Sequence, residues 1–319
     1  MKNILCFGGG NAMPKVVLEE LKKYPVKITT VTSMVDSGGS TGKLRKEMDV
    51  LPPGDIRRHL LALSNAPEWK KKLFDFRFGN EEFEGGHKGN SFGNIFIAGL
   101  EVICKDFQIA LNHTSEFLEV KGTVLPATTD KTHIYATLEN GDEIKGEDEI
   151  DVPKNHNPNL KIRDVYLKPK AKAYSKVLQT IEKADLIILG PGDIYSSIIP
   201  CFLPEGIKEA MQKTKAKKIF ICPIMTKSGE TQEFNVSDFA EKIEKYIGCE
   251  LDSVIFNNFI PGKQTIEEYR KKYPELIDVV NFQKLPNMKK YIGKNLLLKN
   301  DSMLHDSKKL MEIIYSFIQ

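Results

Sequence analysis

Short unbroken apolar runs alternate along this chain with stretches whose apolar positions recur every three or four residues. The first pair is already complete by residue 21. The run Ile4, Leu5, Cys6, Phe7 meets three glycines, and the spacing of Val16, Val17, Leu18 and Leu21 predicts a helix. Asn11 is placed to cap that helix, and Pro14 suits its first turn, where a missing N–H costs nothing. Strands are predicted next at Val26–Ser33, at Gly122–Leu125, and at His133–Leu138. The dipeptide Asn140-Gly141 then marks a hairpin turn before Glu143 and Ile144. Later runs predict strands at Ile162–Leu167, Asp185–Leu189, Lys218–Pro223 and Leu251–Asn257. Helical spacing covers Ile56–Leu63, Asn94–Cys104, Phe107–Leu118, Ala171–Ala184, Ile207–Lys213, Val236–Ile247 and the closing Ser307–Phe317. Apolar strands alternating with helices predict an α/β fold, a Rossmann-like doubly wound and mainly parallel sheet. The hairpin region at about 121–167 reads as an insertion in one domain spanning 1–319, with no linker to separate two.

Composition narrows the class without naming a function. The 319 residues are 41% hydrophobic and 28% charged, which is ordinary for a globular protein with a large core. The net charge of +3 comes from dispersed lysines. No basic stripe interleaved with aromatics argues for nucleic acid. No apolar run approaches the roughly 18 residues of a membrane helix, and the first apolar run is too short for a signal peptide. The five cysteines include no CxxC pair, so neither a zinc site nor a disulfide frame is expected, and a reducing cytoplasm fits.

Candidate chemistry gathers in polar loops that follow apolar strands. If the sheet is parallel, the loops Gly8–Asn11, Asp36–Gly42, Gly190–Tyr195 and Met225–Glu230 all emerge on one edge, where open α/β sheets bind ligands. Gly8, Gly9 and Gly10 would let backbone amides approach a phosphate at a helix N-terminus. The run Asp36-Ser37-Gly38-Gly39-Ser40-Thr41-Gly42-Lys43 looks like a phosphate loop. It fails the Walker pattern, because Ser37 stands in place of the first glycine and Leu44 in place of Ser or Thr. Asp36 and Asp55 could hold Mg²⁺ against phosphates, although for Asp55 the slightly favoured reading is a cap on the helix at Ile56. Arg57 could meet a phosphate with both arms of its guanidinium. Asn90 and Asn94 sit in a glycine-rich stretch, residues 86–94, that opens an apolar helix. Gly190, Pro191, Gly192, Tyr195 and Thr226 complete the ligand-facing candidates. Histidines are scattered, with no partner at metal or triad spacing.

Several blocks taken together resemble the CofD-like family, specifically its gluconeogenesis factor (YvcK-like) branch. They are FGGGNA at 7–12, DSGGSTGKLR at 36–45, PPGDIR at 52–57, KGNSFGN at 88–94, GPGDIYSSIIP at 190–200, PIMTKSGET at 223–231 and HD at 305–306. The resemblance implies a cytoplasmic protein binding a UDP-sugar such as UDP-N-acetylglucosamine. Its implied role is regulatory, supporting cell-wall precursor supply and cell shape on gluconeogenic carbon sources. The sister branch implies an alternative, a Mg²⁺-dependent transfer of a phospholactyl group from a nucleotide diphosphate donor to a deazaflavin precursor. Ser37 stands where that family often carries a second aspartate, and Asn11 where it carries a hydroxyl. A regulated enzyme partner, a homo-oligomer, and a partner surface on the hairpin at 139–146 are further expectations.

Overall fold

A computed structural model describes residues 1–79, 89–283, 285–286, 289–299 and 302–319. The expectations for residues 86–88 lie outside them. The strands in chain order are β1 (Asn3–Phe7), β2 (Lys27–Thr32), β3 (Thr123–Pro126), β4 (His133–Leu138), β5 (Glu143–Lys145), β6 (Ile162–Lys168), β7 (Leu186–Leu189), β8 (Lys217–Ile221), β9 (Met225–Lys227), β10 (Ser253–Asn257), β11 (Leu276–Val279) and β12 (Tyr291–Lys294). Seven of them form one sheet in the order β12-β10-β8-β7-β1-β2-β3, and every neighbouring pair is parallel. This is the Rossmann-like, doubly wound arrangement that the apolar periodicity predicts.

The unbroken apolar runs follow from burial on both faces. Successive side chains of β1 point to opposite sides, so Ile4 and Cys6 join one core while Leu5 and Phe7 join the other. β7 divides the same way, with Leu186 and Ile188 on the first side and Ile187 and Leu189 on the second. The first core is closed by Val17, Leu18 and Leu21, by Ile56 and Leu60 of helix Gly54–Leu63, and by Leu310, Met311 and Ile314 of helix Ser307–Ser316. The second is closed by helices Ser175–Lys183, Ile207–Lys213 and Val236–Ile247.

The inserted strands form a separate antiparallel sheet, β5-β4-β6, whose inward residues Ile134, Ala136, Leu138, Val165 and Leu167 enter the second core. Asn140 and Gly141 make its hairpin turn, with Gly141 at φ 93°. From β5 the chain runs directly into a short helix, Glu147–Asp151, which packs against helix Ile194–Ile198 beside the end of β7.

Three strands go beyond the sequence reading. β9 and β11 pair antiparallel, so part of what reads as the polar loop Met225–Glu230 is a strand. β12 is a four-residue edge beside β10. All three are too short for a periodicity to show. No helix among the described residues is long and apolar enough to cross a membrane.

Ile188 lies fully buried in the middle of the sheet. Ile188→Ala should cost about 2–5 kcal/mol, seen as a lower urea midpoint with an unchanged slope. A loss under about 1 kcal/mol would show that this site collapses around the gap.

Candidate functional site

The strand order reverses between β1 and β7, which lie side by side while the chain leaves them in opposite directions. The carboxyl ends of those strands open into a cleft of about 400 Å³. Its walls include Gly10 and Asn11 after β1, Asp36 and Gly38–Thr41 after β2, and Gly54, Asp55, Arg57 and Arg58 at the start of one helix. Asn94, the insert's Glu147, Asp148, Asp151 and Lys154, and then Asp193, Ser196 and Ser197 after β7 complete it.

The glycine turn is narrow because neighbours press directly on it. A Cβ on Gly9 would come within 2.6 Å of Ser197 Oγ, and one on Gly10 within 2.4 Å of Asp55 Oδ1. Asp55 is not a helix cap. Its carboxylate lies against Gly10 across the turn, where the Gly10 amide favours its charged form. His59 anchors the same turn from beneath, fully buried, with Nε2 3.1 Å from the Gly9 carbonyl and Nδ1 2.8 Å from the Thr30 hydroxyl. A carbonyl can only accept, so Nε2 carries the proton and Nδ1 accepts from Thr30. Burial lowers the imidazole to about 4 and keeps it neutral. Asn11 does not cap its helix through its side-chain oxygen, which accepts from Arg58 Nη1 at 2.5 Å.

The second loop is organised by Asp36. Its carboxylate accepts the Gly38 amide at 3.0 Å and the Thr41 hydroxyl. Gly39–Gly42 is the first turn of helix Gly39–Met48, not an open phosphate-like loop. Ser37 donates to Asp148 at 2.6 Å and so ties this loop to the insert. Arg57 is only 2% exposed; it donates from Nε to Asn94 at 3.0 Å and from Nη1 to Asp75. Asn94 in turn reaches Ser40 at 3.4 Å.

Carboxylates crowd this cleft. Burial, and then the charge of Asp36, push Asp55 up to about 7. Asp36 is itself raised by burial, against the pull of Gly38 and Thr41. Glu147 goes up to about 9, chiefly through burial and then through Asp36, Asp151, Asp55 and Glu230. Hard oxygen donors held close in this way fit Mg²⁺, which takes one or two carboxylates and completes its shell with water and phosphate oxygens. Asp36 and Asp55 would hold such an ion, which would screen their repulsion.

Beyond Asn11 and Arg58 the cleft runs on into a second hollow of about 720 Å³ lined by Lys15, Lys22, Lys23, Lys71, Lys72 and Arg77. Burial and the neighbouring Lys71 lower the Lys22 ammonium. Glu19, Glu20, Glu68 and Asp75 line that hollow too, so the trough has a chamber richer in acids and a wing richer in bases, with Arg58 lining both.

The sequence pattern of the family described as "2-phospho-L-lactate transferase CofD" matches residues 4–296. The chain belongs to the CofD family. It is 38% identical over 317 residues to a Thermotoga maritima protein provisionally named a gluconeogenesis factor, covering 98% of each. Identity is 37% to the gluconeogenesis factor of Halalkalibacterium halodurans, over 98% of this chain and 95% of that one. A crystal structure of a upf0052-family protein from Bacillus halodurans superposes with a TM-score of 0.89 at 34% identity, covering 99% of this chain and all of that one. These relatives place the CofD-family chain in the gluconeogenesis factor branch.

The structure gathers Gly10, Asn11, Asp36, Gly38, Gly39, Ser40, Thr41, Asp55, Arg57 and Asn94 around the cleft. Other candidates sit elsewhere. Gly8 and Gly9 lie beneath the turn, Ser37 faces Asp148, and Gly190, Pro191 and Gly192 shape the β7 corner without lining the cleft. Tyr195 is fully buried, its amide given to Glu230 and its hydroxyl 3.4 Å from the Ile162 carbonyl. Thr226 joins β9 to β11 through Asp278. Asn90 is buried, and its Oδ1 has no hydrogen-bond partner among the described residues.

Sequence reasoning missed Arg58, Glu147, Asp148, Asp151 and His59. Arg58 was legible as a neighbour of Arg57. The acidic run at 147–151 carried no glycine corner and sits in the insert, so nothing local tied it to the cleft.

Glu147→Gln checks the crowding. The folded carboxyl keeps its proton to about 9, whereas an unfolded glutamate releases it near 4.5. Its contribution to stability is whole below 4.5, wanes as pH rises and is gone above about 9. The glutamine variant should therefore gain melting temperature over the native chain as pH rises from about 5 to about 9. A calorimetric difference that stays constant with pH would refute the crowding.

Proposed function

We propose that this CofD-family protein is a nucleotide-sugar-binding regulator of the gluconeogenesis factor type, taking a UDP-sugar such as UDP-N-acetylglucosamine. In that role it supports cell-wall precursor supply and cell shape during growth on gluconeogenic carbon sources, acting through a regulated enzyme partner. The observation that carries the reading is the position and polarity of the cleft. It opens at the switch point between β1 and β7, where doubly wound sheets receive nucleotides. Its hydroxyl on Ser40, its carboxamide on Asn11 and its guanidinium on Arg58 match a ligand that is half sugar and half diphosphate.

The same surroundings favour binding over covalent chemistry. His59 is neutral and spent on the turn. The buried thiols Cys6, Cys201 and Cys222 are all pushed up by burial, which keeps them as inert thiols. One observation favours the transferase alternative, the Asp36–Asp55 pair with its fit to Mg²⁺.

Calorimetry with UDP-N-acetylglucosamine, with and without Mg²⁺, tests the reading. Binding should be tighter with Mg²⁺, and Arg58→Ala should weaken it about tenfold, as for loss of one charge-assisted contact. A folded sample that gives no heat at millimolar ligand would count decisively against it. Turnover of a nucleotide-linked phospholactate with a deazaflavin acceptor, abolished by Asp36→Asn, would establish the transferase instead.

A further inference from the structure

We propose that Lys227 is the resident cation of a three-carboxylate cage, and that it positions the roof of the ligand cleft by standing where a divalent metal would otherwise be needed. Carboxylate oxygens of Asp151, Asp193 and Glu230 all lie within 4.8 Å of one another, close enough for one cation to meet all three. The Lys227 ammonium fills it. Nζ is 2.9 Å from Asp193 Oδ2 and 3.3 Å from Glu230 Oε1, and it donates to Asp151 as well. The lysine side chain is only 7% exposed and that of Glu230 is fully buried.

Each carboxylate belongs to a different part of the cleft. Asp151 ends the insert's short helix, which carries Glu147 and Asp148 into the cleft. Asp193 follows the glycine corner after β7. Glu230 takes the amides of Tyr195 and Ser196 at 3.0 and 3.3 Å, and the Ser196 hydroxyl at 2.9 Å. One ammonium therefore joins the antiparallel insert, the β7 corner and the turn after β9. Burial by itself would drive off the Lys227 proton, but Glu230, Asp193 and Asp151 outweigh it and hold the side chain charged. Without that charge Asp151 and Asp193 face each other beside Glu230, whose carboxyl burial already pushes up to about 7, and a divalent cation is the chemical substitute that would hold all three.

The test uses the whole chain, with Mn²⁺ as probe. Lys227→Met should gain one Mn²⁺ site, by electron paramagnetic resonance, beyond any that the native chain binds. Lys227→Met with Glu230→Gln should lose that added site, and Lys227→Arg, which keeps the charge, should never acquire it. Lys227→Met should melt lower than the native chain and recover with Mn²⁺. A folded Lys227→Met with no added site overturns the proposal, as does a variant whose lost stability Mn²⁺ does not restore, since a plain structural cross-link would behave so. The link to ligand binding rests on the UDP-sugar reading. There the variant should bind UDP-N-acetylglucosamine about tenfold more weakly without Mn²⁺ and regain affinity with it. If the native chain binds no nucleotide sugar, that reading fails, while the Mn²⁺ and melting results still decide the role of Lys227.

Discussion

Six carboxyl groups, those of Asp36, Asp55, Glu147, Asp148, Asp151 and Asp193, face one cleft of about 400 Å³. Keeping that many acids close together and partly out of water is costly, and much of the surrounding structure compensates for it. Amides of Gly10 and Gly38 are turned onto Asp55 and Asp36. Ser37 satisfies Asp148, and Lys227 holds Asp151 and Asp193 from behind. Glu147 answers the crowding differently, by keeping its proton. A cleft balanced in this way is receptive to added positive charge.

The parallel sheet is what makes the crowding possible. β1, β2 and β7 all end on the same rim, and the chain that leaves each of them enters a helix there. Helix N-termini carry partial positive charge, which offsets some of the acid repulsion. The antiparallel insert supplies the opposite wall. Because its inward residues share a core with Leu5 and Phe7, its helix Glu147–Asp151 is seated by packing as well as by ion pairs.

The glycines illustrate how a motif can be read correctly in place and differently in purpose. Gly9 and Gly10 read as openings for a ligand's phosphate, yet Ser197 and Asp55 already occupy the space a side chain would need. The Asp36–Lys43 run has the look of a phosphate loop without its Walker pattern, and most of it winds into helix Gly39–Met48, with Asp36 accepting the Gly38 amide. Arg57 reads as a phosphate ligand, yet it is buried and engaged by Asp75 and Asn94, while its neighbour Arg58 meets Asn11 in the cleft. In each case packing chose which atoms are free.

The order of the longer strands and helices, the double burial of β1 and β7, the hairpin at Asn140-Gly141 and the family blocks were legible along the chain. They depend on periodicity and local turn chemistry, which act over a few residues. The meeting of Lys227 with Asp151 and Asp193, of His59 with Gly9, and of the 147–151 helix with the cleft belonged to the tertiary structure alone. Those contacts join residues 34 to 111 positions apart. They exist because a closed core brings the segments together, and no local pattern encodes that closure.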